Sequence, residues 1–446
     1  MEKAARKYTS KEIWTVTYPI LISLIMEQLI GMTDTAFMGR VGEVELGASA
    51  LAGVYYMIIF MIGFGFSIGA QIIIGRRNGE QNYRQIGTIF YQGVLFLSVL
   101  AAIMFAFSQL FSPVILRGII QSEDVFHATI SYINWRVYGF FFSFIGIMFR
   151  AFFVGTTQTK TLTLNSIVMV LSNVVFNYIL VFGKFGMPAL GIAGAAIGSS
   201  LSELVSLLFF IIYTYRKVDC RKYGLDRFSG FRIATLKQIF NISIWTMIQN
   251  CLSMSTWFLF FIAVEHLGER PLAITNIIRN VSSIPFMITM AFASTGSTLI
   301  SNLIGSGNIA CVKGTILQII RMAACIVTPV VLLFSVFPEV ILHVYTDSAA
   351  LVEASIPALW VLCTSYLFTV PGFIYFQAVS GTGNTRAALL LESTALAIYV
   401  AYIVYTIFHL HLDVAWCWTA EHVYSLLILT FSCLYIYKGK WQNKRI

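Results

Sequence analysis

The sequence predicts an all-α polytopic membrane protein with twelve transmembrane helices in two six-helix bundles related by a parallel repeat. Three observations carry that prediction. Hydrophobic residues make up 58% of the chain and charged residues only 11%, against about a quarter charged in a soluble domain. Apolar runs such as 94–110, 167–182, 322–337 and 389–407 approach the roughly 20 residues that carry a helix across a hydrocarbon core about 30 Å thick. The second half also repeats the first. Gly69 and Gly87 recur 227 positions on as Gly296 and Gly314, and the stretch 155–160 (GTTQTK) recurs 226 positions on as 381–386 (GTGNTR). An internal repeat in so apolar a chain points to a transporter built from two related bundles.

The spans follow in order. The first covers 12–36 and carries Pro19, Glu27 and Asp34 in or at the end of it. The segment 1–11 before it is polar and basic with no cleavage site after the apolar run, so the first helix reads as an uncleaved insertion signal. Spans two to four cover 48–74, 86–112 and 127–152; the second holds Gly63, Gly65 and Gly69, which permit close helix approach. The fifth, 161–182, carries Asn173 and Asn177, and the sixth, 189–214, carries Gly191, Gly194, Gly198, Ser199, Ser200 and Glu203. These six form an N-lobe, 1–215. A basic linker, 216–234, follows, with Phe228 and Phe231 among its charges; it reads either as interfacial or as a solvated connector. The C-lobe, 235–446, holds spans at 235–264, 271–303, 314–337, 349–379, 387–408 and 412–437. Six helices per repeat is an even number, so both halves enter the membrane in the same direction. Continuous apolar runs also argue against a β-barrel, whose strands alternate over about ten residues.

Lys and Arg set the orientation. One set of loops holds Lys3, Arg6, Lys7, Lys11, Arg76, Arg77, Arg84, Arg150, Lys160, the linker cations from Arg216 to Lys237, Lys313, Arg386 and the C-terminal cations, while the opposite set holds only Arg40, Arg117, Lys184 and Arg270. Both termini are therefore expected in the cytoplasm. The net charge of +9 is the same bias summed; it attracts anionic lipid and is not a nucleic-acid footprint. The seven cysteines show no CxxC spacing and read as packing residues, and His409 and His411 near Asp413 lack further metal ligands. No GxxxxGK[ST] motif occurs, so direct ATP drive is not expected, and no cofactor is called for.

Ionisable groups inside a bilayer are expensive and invite function. Glu27 and Asp34 lie seven residues apart and share a helix face. Asn173 and Asn177, at i and i+4, share another. The sixth span adds Ser199 and Ser200, then Glu203; a carboxylate, two amide oxygens and a hydroxyl are hard oxygen ligands that suit Na⁺, while the same carboxylate, desolvated, would exchange a proton. The C-lobe carries Gln249, Asn250, Arg279, Glu392 and Glu421, and Arg279 is expected to pair with one of those glutamates because unpaired burial is costly. Abundant aromatics would suit organic cations wherever they line a cavity with carboxylates.

At these residues the chain resembles the multidrug and toxic compound extrusion (MATE) family. Pro19, Asp34, Gly39, Gly42 and Leu46 are similar to the family's first-helix pattern. The segments 69–87, 150–160, 191–199 and 381–386, with Asn173 and Asn177, resemble its later motifs. The resemblance implies two six-helix lobes in a V around a central cleft, and export of cationic, lipophilic compounds by antiport with Na⁺ or H⁺. It implies a coupling site at Asp34, Asn173, Asn177 and Ser199, with a helix-1 bend at Pro19. Asn177 stands where some members carry aspartate. The stretch 241–258 lacks the glutamate of one branch, which favours a DinF-like arrangement with N-lobe coupling. Glu27, Glu203, Gln249, Asn250, Arg279, Glu392 and Glu421 remain as substrate-contacting or secondary polar groups. The expected setting is a bacterial inner membrane, with a monomer sufficient. The alternative within the superfamily is a lipid-linked oligosaccharide flippase. Such cavities are often cationic, and here the intramembrane cations are only Arg136, Arg279 and Arg321. A membrane-embedded enzyme is a distant alternative, without an HExxH or comparable motif in a span.

Overall fold

The computed structural model describes residues 7–228 and 230–442, and every regular element among them is helical. In chain order these are α1 (Ser10–Val41), α2 (Glu43–Gly79), α3 (Tyr83–Arg117), α4 (Glu123–Arg136), α5 (Gly139–Gly155), α6 (Lys160–Phe182) and α7 (Gly191–Lys217). After the linker come α8 (Ile233–Glu265), α9 (Glu269–Gly305), α10 (Val312–Val336), α11 (Pro338–His343), α12 (Ala349–Gly381), α13 (Thr385–Val404), α14 (Val414–Cys417) and α15 (Ala420–Lys438). Among the described residues eleven helical segments are long and apolar enough to cross a membrane. Counting α4 with α5, bent by 52°, as one broken span gives twelve.

The chain divides into two compact units, one of Tyr18–Met247 and one of Ile248 onward with the residues before Tyr18. The repeat changes over at the linker, whereas the packing division falls inside α1 and inside α8. Local hydrogen bonds show why. Thr17 Oγ1 donates to Thr295 Oγ1 on α9 at 3.0 Å, and Ser243 and Thr246 on α8 donate to the Phe66 and Gly65 carbonyls of α2 at 3.0 and 2.6 Å.

In the Tyr18–Met247 unit, α2 packs on α3, α4 and α5, and α7 packs on α4, α5 and α6. The linker is folded onto this unit. Tyr223 is 5% exposed, and its hydroxyl accepts from Gln158 Nε2 at 2.8 Å; burial lifts its phenol above the ordinary tyrosine range. Tyr91 donates to the Leu225 carbonyl at 2.6 Å, and Gln92 bonds both Gly230 and Arg232. Gly87 is required here, because a Cβ on it would strike the backbone of Tyr223 and Gly224; Gly224 itself sits at φ +66° against Arg84. Phe228 and Phe231 stay exposed at the surface of this docked segment.

The fourth span departs from the continuous helix expected over 127–152. It breaks at Val137–Tyr138. Arg136, at the break, turns its side chain inward to Glu203, and a Cβ on Gly139 would collide with both. Ser200 Oγ donates to the Trp135 and Arg136 carbonyls at 3.3 and 3.4 Å, partly satisfying backbone groups beside the break. Arg150 is a second correction. It lies within α5 and bonds Glu27 there, rather than sitting in a cytoplasmic loop. In the other unit α12 is central, packing on α9, α10, α13 and α15.

Candidate functional site

The Tyr18–Met247 unit brings together the four residues Asp34, Asn173, Asn177 and Ser199. Asp34 comes from α1, the asparagines from one face of α6, and Ser199 from α7. Asn177 Nδ2 donates to Asp34 Oδ1 at 2.6 Å and to Asn173 Oδ1 at 3.2 Å. Ser199 Oγ donates to Asp34 Oδ2 at 3.2 Å and accepts from Asn173 Nδ2 at 3.2 Å. Both asparagines are 0% exposed. Close packing of α6 on α7 makes this possible, since a Cβ on Gly198 would occupy the space taken by Asn177 Oδ1. That oxygen is buried and has no hydrogen-bond donor. A buried acceptor without a donor is costly, so it is a natural ligand for a positive ion.

Glu203 is not part of this cluster. Its carboxylate forms a two-point ion pair with Arg136, at 2.6 and 2.9 Å. The Tyr56 ring lies under the guanidinium at 3.7 Å, and the Tyr56 hydroxyl reaches Glu203 at 3.1 Å and Ser143 at 3.0 Å. Glu27 is likewise outside the cluster, and its carboxylate accepts from Arg150 at 2.9 Å and from Ser23 at 3.3 Å. Pro19 lies inside the continuous α1.

In the Ile248-onward unit, Glu392 Oε1 accepts from Ser253 at 2.5 Å and from Tyr424 at 3.1 Å, while its Oε2 is buried without a partner. Glu421 accepts from Tyr399 at 3.1 Å. Gln249 Oε1 and Asn250 Nδ2 are also buried and unpartnered. The expected pairing of Arg279 with Glu392 or Glu421 does not occur. Arg279 instead lies over the rings of Trp257 and Phe261, at 5.5 and 5.3 Å. Long-range partner choice of this kind is set by helix rotation, which composition does not reveal. Sequence reasoning missed Tyr56, Ser143, Ser253, Tyr399 and Tyr424. The signal available was the opposite signs of Arg136 and Glu203 within one half, and the i, i+4 spacing of Gln249 and Ser253. Among the described residues no group of three His, Cys, Asp or Glu is placed to hold a metal ion.

The helical repeat and these buried polar clusters define a multi-pass membrane transporter. The chain belongs to the MatE family, whose pattern matches it twice, over residues 19–179 and 246–407. It is 23% identical over 442 residues to the probable multidrug resistance protein NorM of Thermotoga maritima, covering 98% of this chain and 94% of that one. Its fold is similar to that of an outward-facing multidrug resistance MATE family transporter, with a TM-score of 0.87, 17% identity and 96% of each chain covered. It is also similar to that of the eukaryotic MATE transporter AtDTX14, with a TM-score of 0.85, 17% identity and coverage of 97% of this chain and 96% of that one.

Proposed function

We propose that this chain is a secondary active exporter of cationic, lipophilic small molecules, driven by inward movement of Na⁺ or H⁺ through the Asp34 cluster. The observation that carries the reading is the state of that cluster. Asp34 receives two hydrogen bonds, both from neutral groups, and Asn177 Oδ1 beside it has no donor. One carboxylate among neutral oxygens balances one positive charge. A divalent ion would leave excess charge in a low-dielectric site, at a cost of several kcal/mol.

The transport cycle follows from linkage. The ion shifts the conformational equilibrium only by its differential affinity for the two states. Ion binding at Asp34 from outside favours release of the compound, and ion release inside resets the site. The protein works as a monomer in the bacterial inner membrane, with both termini cytoplasmic. The flippase alternative loses support from the commitment of Arg136 to Glu203, which removes one of three cations available to hold a pyrophosphate.

The test is efflux of a fluorescent organic cation from proteoliposomes under Na⁺ and pH gradients imposed separately. Wild type is expected to export under one of them, and Asp34→Asn under neither. Unimpaired gradient-driven efflux by Asp34→Asn would remove Asp34 from the mechanism. Absence of export by folded wild-type protein under both gradients would favour the lipid-linked carrier.

A further inference from the structure

The repeat leaves one groove filled and its counterpart open. In the first half the docked linker covers Gly87, where the backbone of Tyr223 and Gly224 takes the room a Cβ would need. In the second half the repeated glycine, Gly314, has nothing within 4 Å of a Cβ position. Gly314 instead borders a pocket of about 360 Å³ whose walls include Lys7, Tyr8, Ser10, Gln318 and Arg321. That volume falls within the usual range for small-molecule sites, about 300–1,000 Å³. All of these residues belong to the Ile248-onward unit and the stretch before Tyr18 that packs with it.

Two segments build the pocket. Gly314, Gln318 and Arg321 stand at i, i+4 and i+7 of α10 and so share one face. The Gln318 amide holds the start of α1 to that face through a 3.0 Å bond to Ser10 Oγ. Lys7 and Arg321 therefore reach one cavity from different segments, and no acid lines it. Both cations are exposed, and among the described residues neither has an ion pair. Glu12, the acid on the first turn of α1, accepts from Thr9 N and Oγ1 at 2.8 and 3.0 Å, and Glu12 N donates to Thr9 Oγ1 at 3.2 Å. That capping box serves the first turn of α1, so the pocket's charge comes from side chains. Two like charges facing one cavity repel, and an anion between them reverses the sign of the interaction. The ends of this chain do not supply one, since 1–6 carries Lys3 and Arg6 against Glu2, and 443–446 carries Lys444 and Arg445.

The donors select the kind of anion. A guanidinium offers a phosphate two parallel N–H groups, and an ammonium adds a point charge. Tyr8, Ser10 and Gln318 bring hydroxyl and amide groups to the same walls. A phosphate has more acceptor oxygens than a carboxylate, so it can meet both cations and a neutral donor together. We propose that this pocket binds a phosphate group, carried on a phospholipid headgroup or free in solution, between Arg321 and Lys7. The bound group ties the stretch before α1 to α10, as the linker backbone closes over α3 in the first half. The site stands independently of the export reading.

Isothermal titration calorimetry on the detergent-purified full chain, at constant ionic strength, tests this with three probes. They are inorganic phosphate, dihexanoyl phosphatidylglycerol below its micelle concentration, and dihexanoylglycerol, which keeps the chains and lacks the phosphate. Saturable binding of at least one phosphate probe is expected, and none of dihexanoylglycerol. Binding of phosphatidylglycerol alone assigns the site to a lipid headgroup; equal binding of inorganic phosphate assigns it to the free ion. Arg321→Gln should weaken binding about tenfold or more, the worth of a charged two-point hydrogen bond. Lys7→Gln should weaken it less, because an ammonium lacks the fork. Gly314→Leu builds into the open space and should block binding with both cations in place. Lys184→Gln, which removes an exposed cation of the other unit, should change nothing.

No binding of either phosphate probe overturns the site. So does unchanged affinity in Arg321→Gln with its melting temperature retained. Full binding by Gly314→Leu would put the anion on the charged surface and not in the cavity, and a loss in Lys184→Gln equal to that in Arg321→Gln would make the attraction a matter of net charge; either result overturns the assignment. Equal binding of dihexanoylglycerol does the same, since it would make the acyl chains the ligand.

Discussion

At the 227-residue offset of the repeat, Asp34 falls on Phe261 and Arg279 falls on Ala52. The two halves therefore share a helical plan and carry different polar chemistry on it. In the first unit the carboxylates on the spans are supported: part-buried Asp34 by two neutral donors, buried Glu203 by Arg136, and exposed Glu27 by Arg150. In the second, Glu392 and Glu421 meet hydroxyls, and Arg279 lies over two aromatic faces with no ion pair among the described residues. The comparison teaches that the repeat constrains how backbones pack and leaves charge free to diverge. Gly155 and Gly381 show the conserved part. Each lies where a Cβ would strike the equivalent earlier helix, α2 at Gln71–Ile74 and α9 at Ser297.

The largest expected effect breaks the comparison on its functional side. Asp34→Asn keeps the side-chain shape and removes the charge, so gradient-driven efflux should fall to the liposome background. Glu392→Gln, the matching change in the second unit, should retain gradient-driven export, because that carboxylate lacks the asparagine cage. Proteoliposome efflux of one dye under both gradients compares the two directly. Equal loss in both variants would mean that coupling is shared between the halves.

A second break concerns stability. Arg136→Gln leaves Glu203 buried and unpaired, and should destabilise the protein by about 3–5 kcal/mol. Arg136→Gln combined with Glu203→Gln should recover much of that loss. In the second unit Arg279→Gln removes a charge that has no carboxylate partner among the described residues, so it should be neutral or stabilising. Melting temperatures in one detergent give the contrast. A larger drop for Arg279→Gln than for Arg136→Gln would reverse it.

These contrasts also show what was legible in the sequence. Span positions and the repeat follow from apolar runs and a fixed offset, and the Asn173–Asn177 pair from i, i+4 spacing; Asp34 and Ser199 join that pair through the family resemblance. Such signals are local or periodic, and the rotation of a helix does not erase them. The partners of Glu203, Glu27 and Arg279 were not legible. Each depends on which of several opposite charges, 67 or 123 positions away in the observed pairs, a helix rotation brings near. The break at Val137–Tyr138 was hidden for a related reason. No proline marks it, and the feature beside it is a pairing of Arg136 with the distant Glu203.

A smaller effect separates the repeated glycines. Gly87 abuts the linker backbone at Tyr223 and Gly224, whereas Gly314 has nothing within 4 Å of a Cβ position. Gly87→Ala should cost about 1–3 kcal/mol by overpacking. Gly314→Ala should be neutral or gain up to about 1 kcal/mol from helix propensity. Thermal unfolding in detergent reads both, and similar losses at the two sites would mean that the repeat preserves the close approach as well as the glycine.

The smallest effect tests how firmly the second unit holds its carboxylate. Tyr424→Phe and Glu392→Gln, alone and together, form a double-mutant cycle across the 3.1 Å hydrogen bond between them. Hydrogen bonds between membrane helices average about 0.6 kcal/mol in such cycles, with a maximum near 1.7. A coupling in that range is expected here, because Glu392 Oε1 already accepts from Ser253 and loses only one of two donors. The same cycle across Arg136 and Glu203 should give several-fold more, since either single change strands a charge. Were the Tyr424–Glu392 coupling to match it, Glu392 would be an ionised group that depends on its donors as fully as Glu203 depends on its cation. The division of polar labour between the halves would then fail at the residue where it is most exposed to test.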